Sequence, residues 1–236
     1  MPTTPFEYEE RYKIIDIAAT HHLLSMAGFV LSSTESQVDH WFIPNNIMSP
    51  DEQFHWFDYE RGYAVRIREE TTDQGTRDII TAKQLHVPGD HSTMTNHESI
   101  VTVDGVRQVL APVGDEFAVL LESLSLRDGD ELLSFSEMKL LFEKSGRKEY
   151  ITLDKERATF RSPSLKQVVV DLDSIPALKE TTLGYHAAIE VEYTGDGSPE
   201  DARKMVRDVS QALGYDEKDI LAKALPGQAI AFLAKF

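Results

Sequence analysis

The stretch PFEYEERYKIID, residues 5–16, decides the fold more than any other part of the sequence. Its charged residues alternate with aromatic and aliphatic ones, which is the pattern of a β-strand with two chemically different faces. Glu7, Glu9, Arg11 and Lys13 share one of these faces. A solvated strand face usually mixes charged and neutral polar residues. The question is why one face of a strand carries two acids followed by two bases.

The same separation of acids from bases recurs on other predicted strands. Any one of these strands is explained by a sheet with one face on a core and one in water. Together, the acids can hold Mg²⁺ or Mn²⁺ through hard oxygen donors, and the bases can clamp a polyanion. This combination is what phosphoryl transfer needs. The pairs in phase are Arg66 and Arg68, Thr81 and Lys83, Asp171 and Asp173, and Glu190 and Glu192.

Alternating segments dominate the chain, and helical patterns are fewer. Many strands with few helices favour an antiparallel sheet or barrel with helices packed outside. The predicted strands are 6–15, 29–43, 62–70, 77–85, 97–103, 147–153, 165–173 and 186–193. The predicted helices are 17–28, capped by Asp16 and ended by Gly28, 115–124, 134–143, and 199–213, capped by Ser198 and ended by Gly214.

Composition excludes several classes of protein. The 236 residues carry a formal net charge of −16, which is unfavourable for binding duplex nucleic acid. There is no cysteine, so disulfides, thiolate metal sites and thiol catalysis are excluded. No apolar run approaches the roughly 20 residues that span a bilayer, and the N-terminus lacks an apolar signal core. We expect a soluble, cytoplasmic protein without a membrane partner.

The order of these motifs resembles the CYTH domain of the triphosphate tunnel metalloenzymes. EYEERYKI resembles the E-x-E-x-K signature that opens the family, with Arg11 where the family usually has lysine. Each motif is weak alone, but six in the right order, over roughly residues 6–222, are fairly specific. The other five are QVDHWFIP for Q-x-D-x-Y-F, AVRIRE for L-R-I-R, TAK for T-x-K, VVVDLDSI for the L-D strand, and LGYHAAIEVE for L-G-x-F-x-E-I-E.

The resemblance implies a fold and a set of site residues. The implied fold is α+β, mainly β: an eight-stranded antiparallel closed tunnel barrel with helices packed outside, formed by residues 1–236 as a single domain. The implied ligands of Mg²⁺ or Mn²⁺ are Glu7, Glu9, Asp171, Asp173, Glu190 and Glu192. The implied substrate-binding residues are Arg11, Lys13, Arg66, Arg68, Lys83, Glu98 and Arg147, and the implied catalytic residues are Glu9, Arg11 and Lys13.

Two departures from the family pattern bear on mechanism. Arginine cannot act as a general base because its pKa exceeds about 12, so Arg11 cannot activate water as a lysine could. The family often has K-x-R in a late strand. In EKSGRKEY, Lys144 and Arg147 do not have that spacing, and we expect Arg147 to be the phosphate ligand.

The resemblance implies a metal-dependent triphosphate hydrolase, with inorganic tripolyphosphate as the default substrate because it needs no pocket for a base or sugar. A class IV adenylyl cyclase acting on ATP is the alternative, and a thiamine triphosphatase is a third. A noncatalytic binder of polyphosphate or nucleotide, or a structural barrel with a polar interior, remains open. A homodimer is also left open.

Overall fold

A computed structural model of the chain describes residues 6–14, 16–46, 63–85, 93–176 and 187–221. Within these ranges the chain forms one antiparallel sheet of eight strands, with helices on its outer side. The strands are β1 Phe6–Ile14, β2 Val30–Pro44, β3 Tyr63–Thr72, β4 Gly75–Leu85, β5 Thr93–Ile100, β6 Arg147–Arg161, β7 Val168–Ser174 and β8 Ala187–Gly195.

The strands pair in the order β1-β5-β4-β3-β2-β6-β7-β8, and β1 pairs with both β5 and β8. The sheet is thus strongly curled. A mainly β fold of eight antiparallel strands with outer helices is confirmed. Closure into a tunnel along the full length of the strands stays a prediction.

The helices begin and end largely as the capping signals predict. Asp16 caps α1 through a bond from the Ala19 amide, and Ser198 caps α5 through a bond from the Asp201 amide. Gly28, at φ 81°, follows α1 in the left-handed region that suits glycine. The helices are α1 Ile17–Met26, α2 Val103–Leu110, α3 Ala118–Leu124, α4 Phe135–Lys144 and α5 Pro199–Ala212, with 3₁₀ helices at Ala111–Phe117 and Glu217–Asp219.

Two boundaries were wrong. We predicted a strand over 97–103, but β5 ends at Ile100, and Thr102 caps α2 by accepting a bond from the Gly105 amide. We predicted a strand over 147–153, but β6 continues to Arg161. Its pairing with β2 runs along nearly the whole length of both strands, from Val30 to Pro44, so the partner strand extends it.

Two apolar clusters hold the helices on the outer side of the sheet. The first lies between the β2–β4 strands and the α2–α4 helices, and includes Ile67, Ile80 and Phe142. The second lies between β1, β7 and β8 on one side and α1 and α5 on the other, and includes Tyr12 and Val206. Burying apolar surface on the outer side leaves the opposite face of the strands for charged residues.

Side-chain contacts that cross an intervening strand show that the opposite face is concave. Lys83 on β4 reaches Glu9 on β1, although β5 lies between these strands. Arg157 on β6 reaches Glu190 on β8, although β7 lies between them. We call this the inner face. The two apolar clusters and the charged inner face together explain the alternation seen in the sequence.

Candidate functional site

A cluster of buried and partly buried charges fills the inner face. We call it the inner-face cluster, and it contains six basic and five acidic residues. Its members come from seven of the eight strands, so the fold itself brings them together. They are Glu9, Arg11, Asp39, Arg66, Arg68, Lys83, Lys155, Arg157, Asp171, Asp173 and Glu190.

Asp39, on β2, is bound by cations from two neighbouring strands. Arg68 donates from Nε to Oδ1 at 2.6 Å, and Arg66 donates from Nη1 to Oδ2 at 3.1 Å. Lys155 Nζ lies 3.6 Å from the same Oδ2. Burial alone would raise the pKa of Asp39, but Arg66, Arg68 and Lys155 outweigh it and hold the pKa well below its usual range. Asp39 is therefore ionised and positions two arginines.

Arg157, on β6, is held by three carboxylates. Its Nε and Nη2 donate to Asp173 at 2.6 and 2.7 Å, and its Nη1 donates to Asp171 at 2.6 Å. Nη2 also lies 3.2 Å from Glu190. Lys155 donates to Asp173 at 3.2 Å. Burial and the nearby Arg157 lower the pKa of Lys155 to about 7 despite Asp173.

Glu9 and Glu190 form the second acidic group, and two bases lie beside them. Arg11 Nη2 donates to Glu190 at 2.7 Å and lies 3.6 Å from Glu9, while Lys83 Nζ donates to Glu9 at 3.2 Å. Burial and the adjacent Glu190 raise the pKa of Glu9 well above its usual range, against Lys83 and Arg11. Burial opposes ionisation of Glu190 too, but Arg11 and Arg157 lower its pKa. Two adjacent carboxylates repel each other when both are ionised, which favours the binding of a further cation beside them.

Eight of the predicted site residues lie in the inner-face cluster, and the remaining ones are placed differently. Lys13 is exposed, and Glu98 is exposed and accepts a bond from Thr81 Oγ1 at 3.0 Å. Glu192 is partly buried and directly opposite Glu9 in the β1–β8 register. The backbone of Glu7 pairs with β5 and β8, but its side chain lies outside the described part of the structure.

Arg147 is not brought to the cluster. Its guanidinium carbon lies 3.9 Å from the centroid of the Phe117 ring, and its Nη2 donates to Glu116 Oε2 at 3.0 Å. Both partners belong to the 3₁₀ helix that precedes α3. Arg147 thus packs against the outer helical layer, where it stacks on an aromatic ring.

Sequence reasoning missed three members of the cluster. Lys155 and Arg157 have the K-x-R spacing, but the predicted strand ended at 153, before either residue. The K-x-R spacing is the only local signal in LDKERATF, because residues 154–157 are four consecutive charged residues and the apolar alternation is interrupted there. Asp39 was quoted within QVDHWFIP but was not counted as a site residue.

Two buried guanidinium donors of the cluster lack an acceptor among the described residues. These are Nε of Arg11 and Nε of Arg66, and both side chains belong to the inner face. A buried donor without a partner costs about 1–3 kcal/mol. Acceptor oxygens entering the inner face would satisfy both. These two donors are therefore available to the oxygens of an anion on the inner face.

The acids fit a hard divalent cation by their donor chemistry. Among the described residues, no group of three or more acidic or histidine side chains is already arranged to hold a metal ion. The contacts give the reason, because Arg157 binds Asp171, Asp173 and Glu190, and Arg11 also binds Glu190. If these guanidinium groups bound another anion instead, the carboxylates would become available as metal ligands.

No family model and no curated protein matches the sequence. Among solved structures, a Vibrio parahaemolyticus protein described as a "putative adenylate cyclase" superposes with a TM-score of 0.60 at 12% identity, covering 97% of this chain and 99% of that chain. A conserved hypothetical protein from Pyrococcus furiosus gives 0.61 at 17% identity, covering 93% and 97% of the two chains. A Pyrococcus horikoshii protein gives 0.62 at 14% identity, covering 95% and 98%.

The chain shares the fold of these three solved structures. At these identities the likeness establishes the fold alone, and the expectation drawn from the six sequence motifs is confirmed at that level. A fold does not fix a function, so the activity rests on the chemistry of the inner face. In the part of the chain that the structure describes, no helix is long and apolar enough to cross a membrane.

Proposed function

We propose that the chain is a divalent-metal-dependent triphosphate hydrolase, and that inorganic tripolyphosphate is its substrate. The observation that supports this most is the pair of buried, unsatisfied Nε donors of Arg11 and Arg66 on a face lined by six bases. A chain of phosphates supplies many acceptor oxygens at short spacing. It also carries the charge that six bases can neutralise.

The basic residues would bind and orient the phosphate chain. Arg66 and Arg68 are held in place by Asp39, so their geometry exists before the ligand arrives. Although burial opposes it, Glu190 and Glu9 raise the pKa of Arg11, so that this residue stays charged. Arg11 is therefore a phosphate ligand that stabilises charge in the transition state, and it does not accept a proton.

The acids Glu9, Asp171, Asp173 and Glu190 would hold Mg²⁺ or Mn²⁺, with Glu7 and Glu192 as further candidates. Such a cation would neutralise charge on phosphate oxygens and would make an attacking water more acidic. When phosphate oxygens draw Arg11 and Arg157 away, the carboxylates that they now bind become available as ligands. Substrate and cation would therefore bind with positive coupling. A sheet closed along its whole length, as a single domain, would surround the ligand.

Adenylyl cyclase chemistry is the second candidate. The Vibrio parahaemolyticus neighbour, described as a "putative adenylate cyclase", favours it. In that reaction the 3′-hydroxyl of ATP attacks in place of water, and cyclic AMP and pyrophosphate are the products. The two reactions share the inner-face cluster and differ in the nucleophile.

The test is phosphate release from tripolyphosphate and ATP in Mg²⁺, Mn²⁺ or EDTA, with cyclic AMP and pyrophosphate measured in the ATP samples. We expect metal-dependent release that is faster from tripolyphosphate, and a loss of at least about 100-fold in kcat for Glu190→Gln. The matched control is Glu156→Gln, which removes an exposed acid from β6.

Cyclic AMP as the main product from ATP would show that the chain is a cyclase and not a hydrolase. Saturable binding of tripolyphosphate without turnover, with any of the metals, would show that the chain is a binding protein. Turnover that survives EDTA and Glu190→Gln would contradict a metal-dependent mechanism on these acids.

A further inference from the structure

An acidic row of side chains borders the basic part of the inner face. We use this name for Glu35, Gln37, Glu70 and Arg77, which lie on β2, β3 and β4. Gln37 Nε2 donates to Glu35 Oε2 at 2.7 Å and to Glu70 Oε2 at 3.4 Å, and Arg77 Nε donates to Glu70 Oε1 at 2.7 Å. These bonds hold the row together. The proposed function gives its two carboxylates no role.

The register of the strands places this row next to bases of the cluster. In the β2–β6 pairing, Gln37 is opposite Lys155 and Glu35 is opposite Arg157. Directly paired residues of antiparallel strands point to the same face of the sheet. The side chains of the row therefore lie on the inner face, at the edge of the region where a phosphate chain would be bound.

The row offers hydrogen-bond acceptors at this edge. Gln37 is 1% exposed, and its Oε1 has no hydrogen-bond partner among the described residues. The carboxylates of Glu35 and Glu70 add further acceptors, and Arg77 is already bonded to Glu70. A phosphate group also presents acceptor oxygens and negative charge. A phosphate beside the row would therefore leave buried acceptors without donors, and the carboxylates would repel it.

In the other direction along the strands, the inner face changes from charged to apolar. Trp41 is opposite Arg66, with 5.5 Å between the guanidinium carbon and the ring centroid, and Leu153 is opposite Asp39. Both apolar side chains are buried. Along β2, Trp41 lies four residues beyond Gln37, or about 13 Å. The bases around Asp39 thus act on a short stretch, and a chain of many phosphates is too long to lie within it.

We propose that Glu35 and Glu70, positioned by Gln37, exclude linear polyphosphates that are longer than the basic part of the inner face. The two glutamates determine specificity and take no part in the chemical step. The inference rests on the proposed function and narrows its substrate class to short phosphate chains. A long chain can bind only if its further phosphates lie against the row, where they find no donors and meet like charge.

The test changes the charge of the row without touching the cluster. Glu35 is the better position because it is only partly buried, whereas Glu70 is 4% exposed. Glu35→Gln removes the charge, and Glu35→Lys reverses it. Glu156→Lys makes the same reversal at an exposed position of β6 and is the matched control. We would measure kcat/KM on tripolyphosphate and on a long-chain polyphosphate in Mg²⁺, and the inhibition of tripolyphosphate hydrolysis by the long chain.

We expect the wild type to hydrolyse tripolyphosphate far more efficiently, per chain, than the long polyphosphate. Glu35→Lys should raise kcat/KM for the long chain about tenfold, equivalent to about 1.4 kcal/mol, and Glu35→Gln should raise it by a smaller factor. Both variants should leave kcat/KM for tripolyphosphate within about twofold of the wild type. The long chain should become a stronger inhibitor in the same order, and Glu156→Lys should behave as the wild type.

Some results overturn the inference while the proposed function stands. They are efficient hydrolysis of the long chain by the wild type, no gain for either Glu35 variant, and an equal gain for Glu156→Lys, which would indicate a general effect of surface charge. Loss of tripolyphosphate hydrolysis in a Glu35→Gln protein with the Tm of the wild type also overturns it, because Glu35 would then serve the reaction. A wild type that neither binds nor hydrolyses tripolyphosphate contradicts the proposed function itself.

Discussion

Asp39 holds Arg66 and Arg68 in place although it does not belong to any of the acidic pairs that the sequence displays. It lies in the middle of β2, where the curl of the sheet brings three cations within 3.6 Å of its carboxylate. A buried charge is costly unless it is paired, so each partner depends on the others. Asp39 therefore contributes both to the stability of the fold and to the positions of the arginines that would bind a ligand.

Replacing this carboxylate should destabilise the protein strongly. Asp39→Asn leaves Arg66 and Arg68 buried without their charged partner, and we expect a loss of about 3 kcal/mol in the free energy of unfolding. Urea denaturation at pH 7 measures it. Asp154→Asn, on the exposed face of neighbouring β6, should change the value by less than about 0.5 kcal/mol. Equal effects of the two variants would contradict this role for Asp39.

The pH dependence of this effect has a definite sign. The folded-state pKa of Asp39 is well below that of the unfolded chain, about 3.9, so the unfolded state binds more protons in acid. Its contribution is therefore complete above about pH 4 and declines as the pH falls toward the folded-state pKa. Urea midpoints at pH 7, 4, 3 and 2 should converge for wild type and Asp39→Asn. A gap that widens in acid would refute the assignment.

Single residues also show why only part of the site could be predicted. The in-phase pairs Arg66 and Arg68, and Asp171 and Asp173, follow from strand alternation and do meet on one face. Arg157 could not be placed, because its strand continues only by pairing with β2, and long-range pairing is not visible in a local pattern. With the strand taken to end at 153, the K-x-R pair of Lys155 and Arg157 lay outside it, and Arg147 was favoured over Lys144 in EKSGRKEY instead.

Among the elements, strand β1 carries buried charged residues on both of its faces. Its inner side carries Glu9 and Arg11, and its outer side carries Glu10, which is 4% exposed. Glu10 accepts bonds from the hydroxyls of Tyr8 at 2.7 Å and Tyr12 at 2.6 Å. Arg207 of α5 lies 3.3 Å from the same carboxylate. This buried acid therefore anchors α5 behind the strand that carries half of the second acidic group.

Removing one of these hydroxyls should weaken the anchor. We expect Tyr12→Phe to lower the free energy of unfolding by about 1.5–3 kcal/mol, the range for hydrogen bonds to charged groups. The matched control is Tyr215→Phe. Tyr215 stacks on Tyr12 at 5.1 Å, and its hydroxyl is 3.4 Å from that of Thr20. In urea titrations, Tyr215→Phe should lower the free energy of unfolding by less than half as much as Tyr12→Phe does. A larger effect of Tyr215→Phe would contradict the role of Glu10 as an anchor.

Helix prediction succeeded for α4 and failed for α2, although both helices have local N-caps. The capping box of Ser134 and Glu137 is four residues long and marks the start of α4 in the sequence. Helix α2 was missed because Val101 and Val103 continue the alternation of β5. The structure ends that strand by bonding Val103 to Glu131 and Leu133 to Val101, contacts about thirty residues apart.

For the whole molecule, the inner-face cluster predicts a large effect of an anion on stability. Ligand at 100 times its Kd stabilises a protein by about 2.7 kcal/mol, which is about 5–11 °C in Tm for a domain of this size. Tripolyphosphate with Mg²⁺ should produce that shift, and sulfate at equal ionic strength should produce less than half. Differential scanning fluorimetry distinguishes them, and equal shifts would indicate a nonspecific salt effect.

The six bases of the inner face lie inside a chain whose formal net charge is −16. An approaching triphosphate therefore meets repulsion at long range and attraction only within a few ångströms. Salt screens the long-range repulsion, with a Debye length of about 8 Å at 0.15 M, but it screens the buried attractive contacts much less. Stopped-flow association should thus become faster as ionic strength rises from 0.01 to 0.15 M, the opposite of electrostatic steering. A protein of this kind captures its ligand more readily in a salty medium than in a dilute one.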